Sequence, residues 1–155
     1  MAQWLSLSIL TLLAVAIFAH GAVPAKYLVY IGTYTDHGSQ GIYVCDFDPS
    51  SGRLTSPRLA AETSEPSFLA VAPDRRFLYT VNEFDRFNGQ PTGALSAFSI
   101  DPATGKLALL NQVPSRDSGP AFITLDRSGR YVLVANYTLG SVAAFPLLPG
   151  GRIGE

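Results

Sequence analysis

The chain has 155 residues, of which 47% are hydrophobic and 15% are charged, and its formal net charge is −1. This length fits one ordinary domain, the apolar share excludes a disordered chain, and the balanced charge gives no field that would attract nucleic acid or anionic lipid. With Cys45 as the only cysteine and His20 and His37 as the only histidines, an intrachain disulfide and a zinc cluster of cysteine and histidine are also excluded.

Near the start of the chain lies an uncharged apolar run from Trp4 to Phe18, which is followed by the small residues Ala19, Gly21 and Ala22. The run is shorter than the ~20 apolar residues that a membrane-spanning helix needs, and it is typical of a secretory signal peptide. No lysine or arginine precedes it, so an uncleaved anchor or a wrong start codon is the alternative. We expect a signal peptide over residues 1–22 and a secreted or periplasmic protein without stable membrane association after cleavage. The protein would be cytoplasmic if this run is not a leader.

Three apolar runs in the rest of the chain are alike. They begin at Tyr27, Phe77 and Tyr131, which are 50 and 54 residues apart. An Asp-Pro pair also recurs in the first two units, 53 residues apart. A period of this length indicates an array of equal supersecondary units.

The runs within each unit are short, rich in β-branched and aromatic residues, and bounded by Gly, Pro, Asp and Ser, so they predict strands joined by tight turns. In the middle unit we predict four antiparallel strands, over Ser67–Ala72, Phe77–Glu83, Leu95–Asp101 and Lys106–Val113. The second of them is apolar at nearly every position, which is typical of a strand covered on both faces. Four strands in about fifty residues predict a β-propeller blade, since the alternative, an up-and-down barrel, does not repeat in groups of four.

The predicted fold class is therefore all-β, a β-propeller of four-stranded antiparallel blades. The blades are expected at about residues 26–63, 64–116 and 117–155, with three strands in the first and an incomplete third. A propeller closes with about four to eight blades, whereas this sequence holds about two and a half. We expect it to be the N-terminal part of a longer protein, with unpaired strand edges when it is alone.

The two ends of the predicted blades carry different residues. Charged turns such as Asp74–Arg76 recur in the same repeat slot at one end, which indicates turn structure. The other end, which we call the mouth, collects the loops after each second strand and the links between blades. Its polar residues are Thr33, Tyr34, Asp36, His37, Glu62, Glu65, Asn82, Glu83, Asp85, Arg86, Arg116, Asp117, Asn136 and Tyr137. Carboxylates and arginines gathered there can bind an anion and activate water, while a polar rim of surface ion pairs is the alternative.

Three strings carry a resemblance to a known family: YIGTYT at Tyr30–Thr35, EPSFLAVAPDRRFLYTVNE at Glu65–Glu83 and GPAFITLDRSGRYVLVANY at Gly119–Tyr137. They resemble the seven-bladed β-propeller lactonase family typified by bacterial 6-phosphogluconolactonase, and the likeness runs from about Lys26 to the end. The resemblance implies hydrolysis of 6-phosphogluconolactone to 6-phosphogluconate, a step of the pentose phosphate pathway, without a metal or an organic cofactor. A fungal muconate cyclase is a related propeller that closes a lactone instead.

On this reading Glu83 is the candidate catalytic residue, which positions or deprotonates water for attack on the lactone carbonyl. Arg86 and Arg116 are candidates to hold the carbonyl oxygen or an anionic substituent of the substrate. The other candidate substrate-binding residues at the mouth are Asn82, Asn136, Tyr137 and His37. No metal site is expected.

The chain also departs from the family's pattern. The family often has histidine where this chain has Phe122, and its later histidine-containing segments would lie beyond Glu155. We therefore expect this piece alone to be inactive and the complete protein to be a monomeric lactonase that acts on a small molecule. The alternatives are an exported non-catalytic propeller that binds protein or carbohydrate and a muconate-type lactonizing cyclase, since the fold does not determine the function. A leader also conflicts with a cytosolic phosphorylated substrate, so an exported protein would act on another lactone.

Overall fold

The structure is a computed structural model that describes residues 27–155, so the predicted signal peptide lies outside the described residues. These residues form eleven β-strands in three sheets, and all of the strand pairs are antiparallel. No helix within them has the length and hydropathy that crossing a membrane requires. The predicted all-β class is confirmed.

The first sheet has three strand positions, the outermost of which is interrupted. It contains β1 (Tyr27–Ile31), β2 (Gly41–Asp48), β3 (Arg53–Leu54) and β4 (Arg58–Glu62). Both β3 and β4 pair with β2, so they follow one another along the same edge of that strand. The outer strand of this blade is therefore broken between its two short segments.

The second sheet is a complete blade with the strand order β5-β6-β7-β8. Its strands are β5 (Leu69–Val71), β6 (Phe77–Asn82), β7 (Ala94–Ile100) and β8 (Leu107–Pro114). The four predicted strands are thus confirmed, with bounds that differ by one or two residues. The residues of β6 after Phe77 are all buried, as expected for a strand that is covered on both faces.

The third sheet contains β9 (Pro120–Leu125), β10 (Tyr131–Asn136) and β11 (Ser141–Pro146), with β10 in the centre. After β11 the chain turns back, and an isolated antiparallel bridge pairs Leu147 with Ile153. The arrangement repeats the first three strands of the second sheet.

The cores lie between neighbouring sheets because alternate residues of β6 face opposite ways. Leu78 packs with Ile42 and Val44 of the first sheet. Tyr79 and Val81 belong instead to a cluster that is shared with the third sheet, with Leu95, Val113, Ile123, Val132, Val134 and Phe145. The second sheet is therefore covered on both faces by its neighbours, which explains its nearly continuous apolar strands.

The charged turns at the end away from the mouth are structural, as predicted. The carboxylate of Asp126 accepts hydrogen bonds from the backbone N–H groups of Ser128, Arg130 and Tyr131. Asp74 does the same in the corresponding turn of the second sheet, and Asp48 and Asp101 accept backbone N–H bonds in the turns after β2 and β7. A tight turn leaves some backbone N–H groups without a backbone acceptor, and these carboxylates accept their hydrogen bonds instead.

Candidate functional site

Glu83 lies at the mouth directly after β6, where the first and second sheets meet. Its Oε2 atom accepts a hydrogen bond from the Tyr34 hydroxyl at 3.0 Å and another from the Ser67 hydroxyl. The carboxylate is partly exposed, so it can be reached from solvent. A partly exposed carboxylate held by two hydroxyl donors is an arrangement that can accept a proton from water.

Tyr34 belongs to the loop after β1 and is 57% exposed. The hydrogen bond to Glu83, followed by desolvation and by the negative charge of that carboxylate, raises the pKa of Tyr34 above its ordinary value of 10.0. The phenol therefore stays protonated at neutral pH and acts as a donor. The sequence placed Tyr34 at the mouth but gave no reason to pair it with Glu83.

A second carboxylate holds the same loop. The Oε1 atom of Glu65 accepts hydrogen bonds from the backbone N–H of Thr35 at 3.0 Å and from its hydroxyl at 2.6 Å. The backbone oxygen of Glu65 also accepts a bond from the N–H of Glu83 at 2.9 Å. Two adjacent residues of the first blade are thus hydrogen-bonded to the second, Tyr34 to Glu83 and Thr35 to Glu65. We call Tyr34, Thr35, Glu65, Ser67 and Glu83 the junction cluster.

Asn82 is fully buried beside this cluster, and its amide is fully engaged within the protein. The Nδ2 atom donates to the Thr63 hydroxyl at 2.9 Å and to the Ser64 carbonyl at 2.6 Å. The Oδ1 atom accepts from Ser96 at 2.6 Å and from Gln112 at 3.0 Å. The structure therefore places Asn82 as a brace for the link that carries Glu65.

Asn136 occupies the same slot in the third sheet and is also buried. Its Nδ2 atom donates to the Ser115 carbonyl and to the Ser141 hydroxyl, each at 3.2 Å. Ser141 in turn donates to Asp117 at 2.6 Å. The Oδ1 atom of Asn136 is buried and has no partner among the described residues. The sequence predicted both asparagines as substrate contacts, and their shared repeat slot is the signal that could have indicated a structural role.

The remaining candidate residues lie apart from the junction cluster. Arg86 donates to the carbonyl of Gly89 within its own loop at 2.9 Å. The guanidinium of Arg116 lies 5.1 Å from the centre of the Phe145 ring. The side chains of His37, which lies 3.4 Å from Asp36, and Tyr137 are largely exposed. None of these four donates a hydrogen bond to Glu83 within residues 27–155.

Two aromatic rings and a polar cleft lie next to the junction cluster. Phe68 precedes β5 and Phe122 lies in β9, with ring centroids 4.8 Å apart and an interplanar angle of 56°. They are 40% and 45% exposed, which makes an open apolar surface next to Ser67. A polar cleft of about 480 Å³ shares Thr35 with the junction cluster and is also lined by Ser39, Gln40, Glu62, Thr63 and Ser64. Sequence reasoning did not single out Ser67 or the hydroxyl groups of this cleft.

The side chains of the described part hold no group of three or more His, Cys, Asp or Glu that could bind a metal ion. The junction cluster itself presents a carboxylate base next to hydroxyl donors. Such donors can orient water or a substrate oxygen, and the carboxylate can accept a proton.

Comparisons with known proteins agree with this architecture. A family model described as lactonase, 7-bladed beta-propeller, matches residues 28–155. The 6-phosphogluconolactonase of Bacillus subtilis (strain 168) is 35% identical over 128 residues, which cover 83% of this chain and 35% of that protein. A 6-phosphogluconolactonase of Formosa agariphila is 33% identical over 126 residues, covering 81% of this chain and 35% of that protein.

A solved structure is also similar to this chain. The periplasmic gluconolactonase of Pseudomonas aeruginosa matches with a TM-score of 0.74 and 38% sequence identity, covering 83% of this chain and 36% of that one. The chain thus spans about a third of the length of each of these three proteins.

Proposed function

Because the chain belongs to the seven-bladed β-propeller lactonase family, we propose that it is the N-terminal part of an enzyme that hydrolyses a sugar lactone. The observation within the site that carries this proposal is the Glu83 carboxylate, partly exposed at the mouth and held by Tyr34 and Ser67. A base held in one orientation suits the activation of water. The activity belongs to the complete protein, and residues 1–155 alone are proposed to be inactive.

In the proposed reaction Glu83 takes a proton from water while the water oxygen bonds to the lactone carbonyl carbon. The bond between that carbon and the ring oxygen then breaks, and the protonated Glu83 gives its proton to the ring oxygen, which leaves as a hydroxyl while Glu83 returns to the carboxylate. Arg86, which shares a loop with Glu83, and Arg116 are proposed to stabilise the oxyanion or an anionic substituent. Tyr137 and His37 are proposed substrate contacts at the rim, and Asn82 and Asn136 are proposed to act through the loops that they hold. The proposal includes no metal or organic cofactor.

The proposed substrate is 6-phosphogluconolactone, which the pentose phosphate pathway converts to 6-phosphogluconate. The likeness to 6-phosphogluconolactonases of Bacillus subtilis and Formosa agariphila supports this choice. Unphosphorylated gluconolactone is the second candidate, supported by the likeness to a periplasmic gluconolactonase. The charge of the described mouth also favours it, because six carboxylates stand against two arginines: Asp36, Glu62, Glu65, Glu83, Asp85 and Asp117 against Arg86 and Arg116.

We also propose that the protein is exported to the periplasm or secreted. The apolar run from Trp4 to Phe18 supports this, and the Pseudomonas aeruginosa relative is a periplasmic protein by its description. An exported protein lies outside the cytosolic pool of phosphorylated sugars, so its expected substrate is unphosphorylated gluconolactone. A protein found in the cytosol is expected to act on 6-phosphogluconolactone. Edman sequencing of the protein purified from culture tests the proposal, since a mature chain that begins near Val23 is expected. A chain that begins at Met1 and fractionates with the cytosol would contradict it.

The decisive experiment compares the complete protein with its Glu83→Gln variant on both lactones, with spontaneous ring opening subtracted. We expect the substitution to lower kcat by about 10²- to 10⁴-fold, since it removes the base. Asp74→Asn, at the end away from the mouth, is the control and should hydrolyse lactone as the wild type does. A fully active Glu83→Gln variant would remove Glu83 from the mechanism. A wild-type protein that hydrolyses neither lactone would favour a binding propeller or a lactonizing cyclase instead.

A further inference from the structure

Glu65 has a backbone conformation that is unusual for a residue with a side chain. Its φ is 50°, in the left-handed region, while Gly119 has φ 63° at the corresponding place before the third sheet. The two positions are equivalent because each precedes a proline and each carbonyl accepts a bond from the residue after the second strand. These bonds join Glu83 N–H to Glu65 at 2.9 Å and Tyr137 N–H to Gly119 at 2.7 Å.

A β-carbon in this region costs about 1–2 kcal/mol relative to glycine. The repeat itself therefore accepts glycine at this position, and the glutamate side chain is not needed to make the turn. Residues with strained backbone conformations cluster at functional sites, so the Glu65 side chain is a candidate for a functional role at the mouth.

The side chain of Glu65 holds Thr35 through two hydrogen bonds, at 3.0 Å from its N–H and at 2.6 Å from its hydroxyl. The neighbouring residue, Tyr34, places its hydroxyl 3.0 Å from Oε2 of Glu83. Ser67 donates to the same oxygen. The hydrogen bonds that described residues donate to the Glu83 carboxylate thus converge on Oε2, which leaves Oε1 for water.

We propose that Glu65 is a positioning residue for lactone hydrolysis: it anchors Thr35, and thereby the Tyr34 hydroxyl, so that the Glu83 carboxylate is held by Oε2 and presents Oε1 to water. This inference rests on the proposed function, in which Glu83 is the base. Glu65 itself does not contact the substrate in this arrangement. It acts on the rate only through Tyr34 and Glu83.

The test uses three variants of the complete protein. Glu65→Gly removes the anchor and also relieves the backbone strain, so the midpoint of thermal unfolding should change little. Its kcat should fall by about tenfold, because a misplaced base loses rate, while KM should stay unchanged. Glu65→Gln keeps an oxygen that can accept both hydrogen bonds from Thr35, so its kcat should be close to that of the wild type. Tyr34→Phe breaks the other end of the same path and should lower kcat by a similar factor.

A double variant and a control make the test specific. Glu65→Gly combined with Tyr34→Phe should be no slower than the slower single variant, since both act through the same contact with Glu83. Arg75→Gly is the matched control, because Arg75 also has a positive φ, 59°, but lies at the end away from the mouth. This control should unfold at a higher temperature and keep the wild-type kcat.

The failure of this inference can be told from the failure of the proposed function. If wild type is active and Glu83→Gln is not, a Glu65→Gly variant with wild-type kcat overturns the inference alone. A Glu65→Gln variant as slow as Glu65→Gly, or fully additive losses in the double variant, would also overturn it. If the wild type hydrolyses no lactone, or Glu83→Gln is fully active, both proposals fall together.

Discussion

The hydroxyl of Tyr79, in β6 of the second sheet, donates a hydrogen bond to the carbonyl oxygen of Gly151, beyond β11 of the third, at 3.0 Å. The same relationship occurs one sheet earlier, where Tyr30 donates to the carbonyl of Gly105 at 3.0 Å. In both pairs a tyrosine of one blade reaches a turn glycine of the next. Burial, with a smaller effect of the Asp74 charge, raises the pKa of Tyr79 to about 12, so this donor is present at neutral pH.

Tyr79→Phe should lower the free energy of unfolding by about 1–2 kcal/mol, because the carbonyl of Gly151 loses its partner in a buried place. Urea denaturation of the purified protein measures the change. Tyr131→Phe is the control, since Tyr131 is 44% exposed and should contribute less than about 0.5 kcal/mol through its hydroxyl. Equal denaturation midpoints for the two variants would show that the bond between the blades does not stabilise the fold.

Two adjacent glycines separate a backbone effect from a packing effect. Gly150 and Gly151 both have φ 82°, but a β-carbon at Gly151 would overlap the Phe77 ring, while one at Gly150 would have nothing within 4 Å. Gly150→Ala should therefore cost about 1–2 kcal/mol from the left-handed backbone alone. Gly151→Ala should cost a further ~1–3 kcal/mol from overpacking. Differential scanning calorimetry of both variants checks this order, and equal melting temperatures would contradict it.

The turn at Asp126 should make stability depend on pH. The Ser128 hydroxyl, and then backbone N–H groups, lower the pKa of Asp126 from its ordinary value of 3.8 to about 2. Because the folded pKa is the lower one, the ionised carboxylate stabilises the fold above 3.8, and this contribution is lost as the pH falls towards about 2. Asp126→Asn should be less stable than wild type near neutral pH, and the difference should shrink across that interval.

Thermal unfolding at a series of pH values measures this difference. Asp74→Asn is the matched control, since Asp74 holds the corresponding turn of the second sheet and accepts a bond from the N–H of Arg76 at 3.0 Å. Its effect should be smaller than that of Asp126→Asn. A loss in Asp126→Asn that stays constant from neutral pH to pH ~2 would mean that the charge is not the stabilising feature.

Ala143→Ser should stabilise the protein. In the second sheet the Ser96 hydroxyl donates to Oδ1 of Asn82 at 2.6 Å, whereas the equivalent position beside Asn136 is Ala143. The buried Oδ1 atom of Asn136 has no partner among the described residues, so a hydroxyl there supplies the missing donor. The expected gain is about 1 kcal/mol in the free energy of unfolding.

Chemical denaturation tests this gain against a neighbouring substitution. Ala144→Ser is the control, because Ala144 lies on the opposite face of β11, away from Asn136. It should change the free energy of unfolding by less than about 0.5 kcal/mol. An Ala143→Ser variant that is no more stable than Ala144→Ser would contradict the proposed partner of Asn136.

Much of the fold could be predicted from local patterns. The apolar runs that begin at Tyr27, Phe77 and Tyr131 recur in β1, β6 and β10, and the four strands of the middle blade were placed within one or two residues. The continuous apolar character of β6 also indicated a strand covered on both faces. Strand formation, turn chemistry and burial on both faces depend on short-range composition and periodicity, so they can be read from the order of residues.

The candidate site could be predicted only in outline. The repeat placed Glu83, Tyr34 and Glu65 at one end of the blades, but not in one cluster. The repeat also predicted the same substrate-binding role for Asn82 and Arg86. In the structure the Asn82 amide is buried and fully hydrogen-bonded, whereas Arg86 donates to a carbonyl of its own loop. A repeat slot tells at which end of a strand a residue lies, whereas its partners depend on the paths of loops from neighbouring blades.

The sequence by itself thus determined the strands, their turns, their grouping into blades and the family. Only the tertiary structure decided that Tyr34 meets Glu83 across 49 positions of the chain and that Glu65 anchors Thr35 across 30. The physical reason is the separation along the chain over which each kind of interaction acts. Strand and turn preferences act among near neighbours, whereas a hydrogen bond requires two atoms within about 3 Å, and only the packing of one blade against the next brings residues so distant in the chain that close.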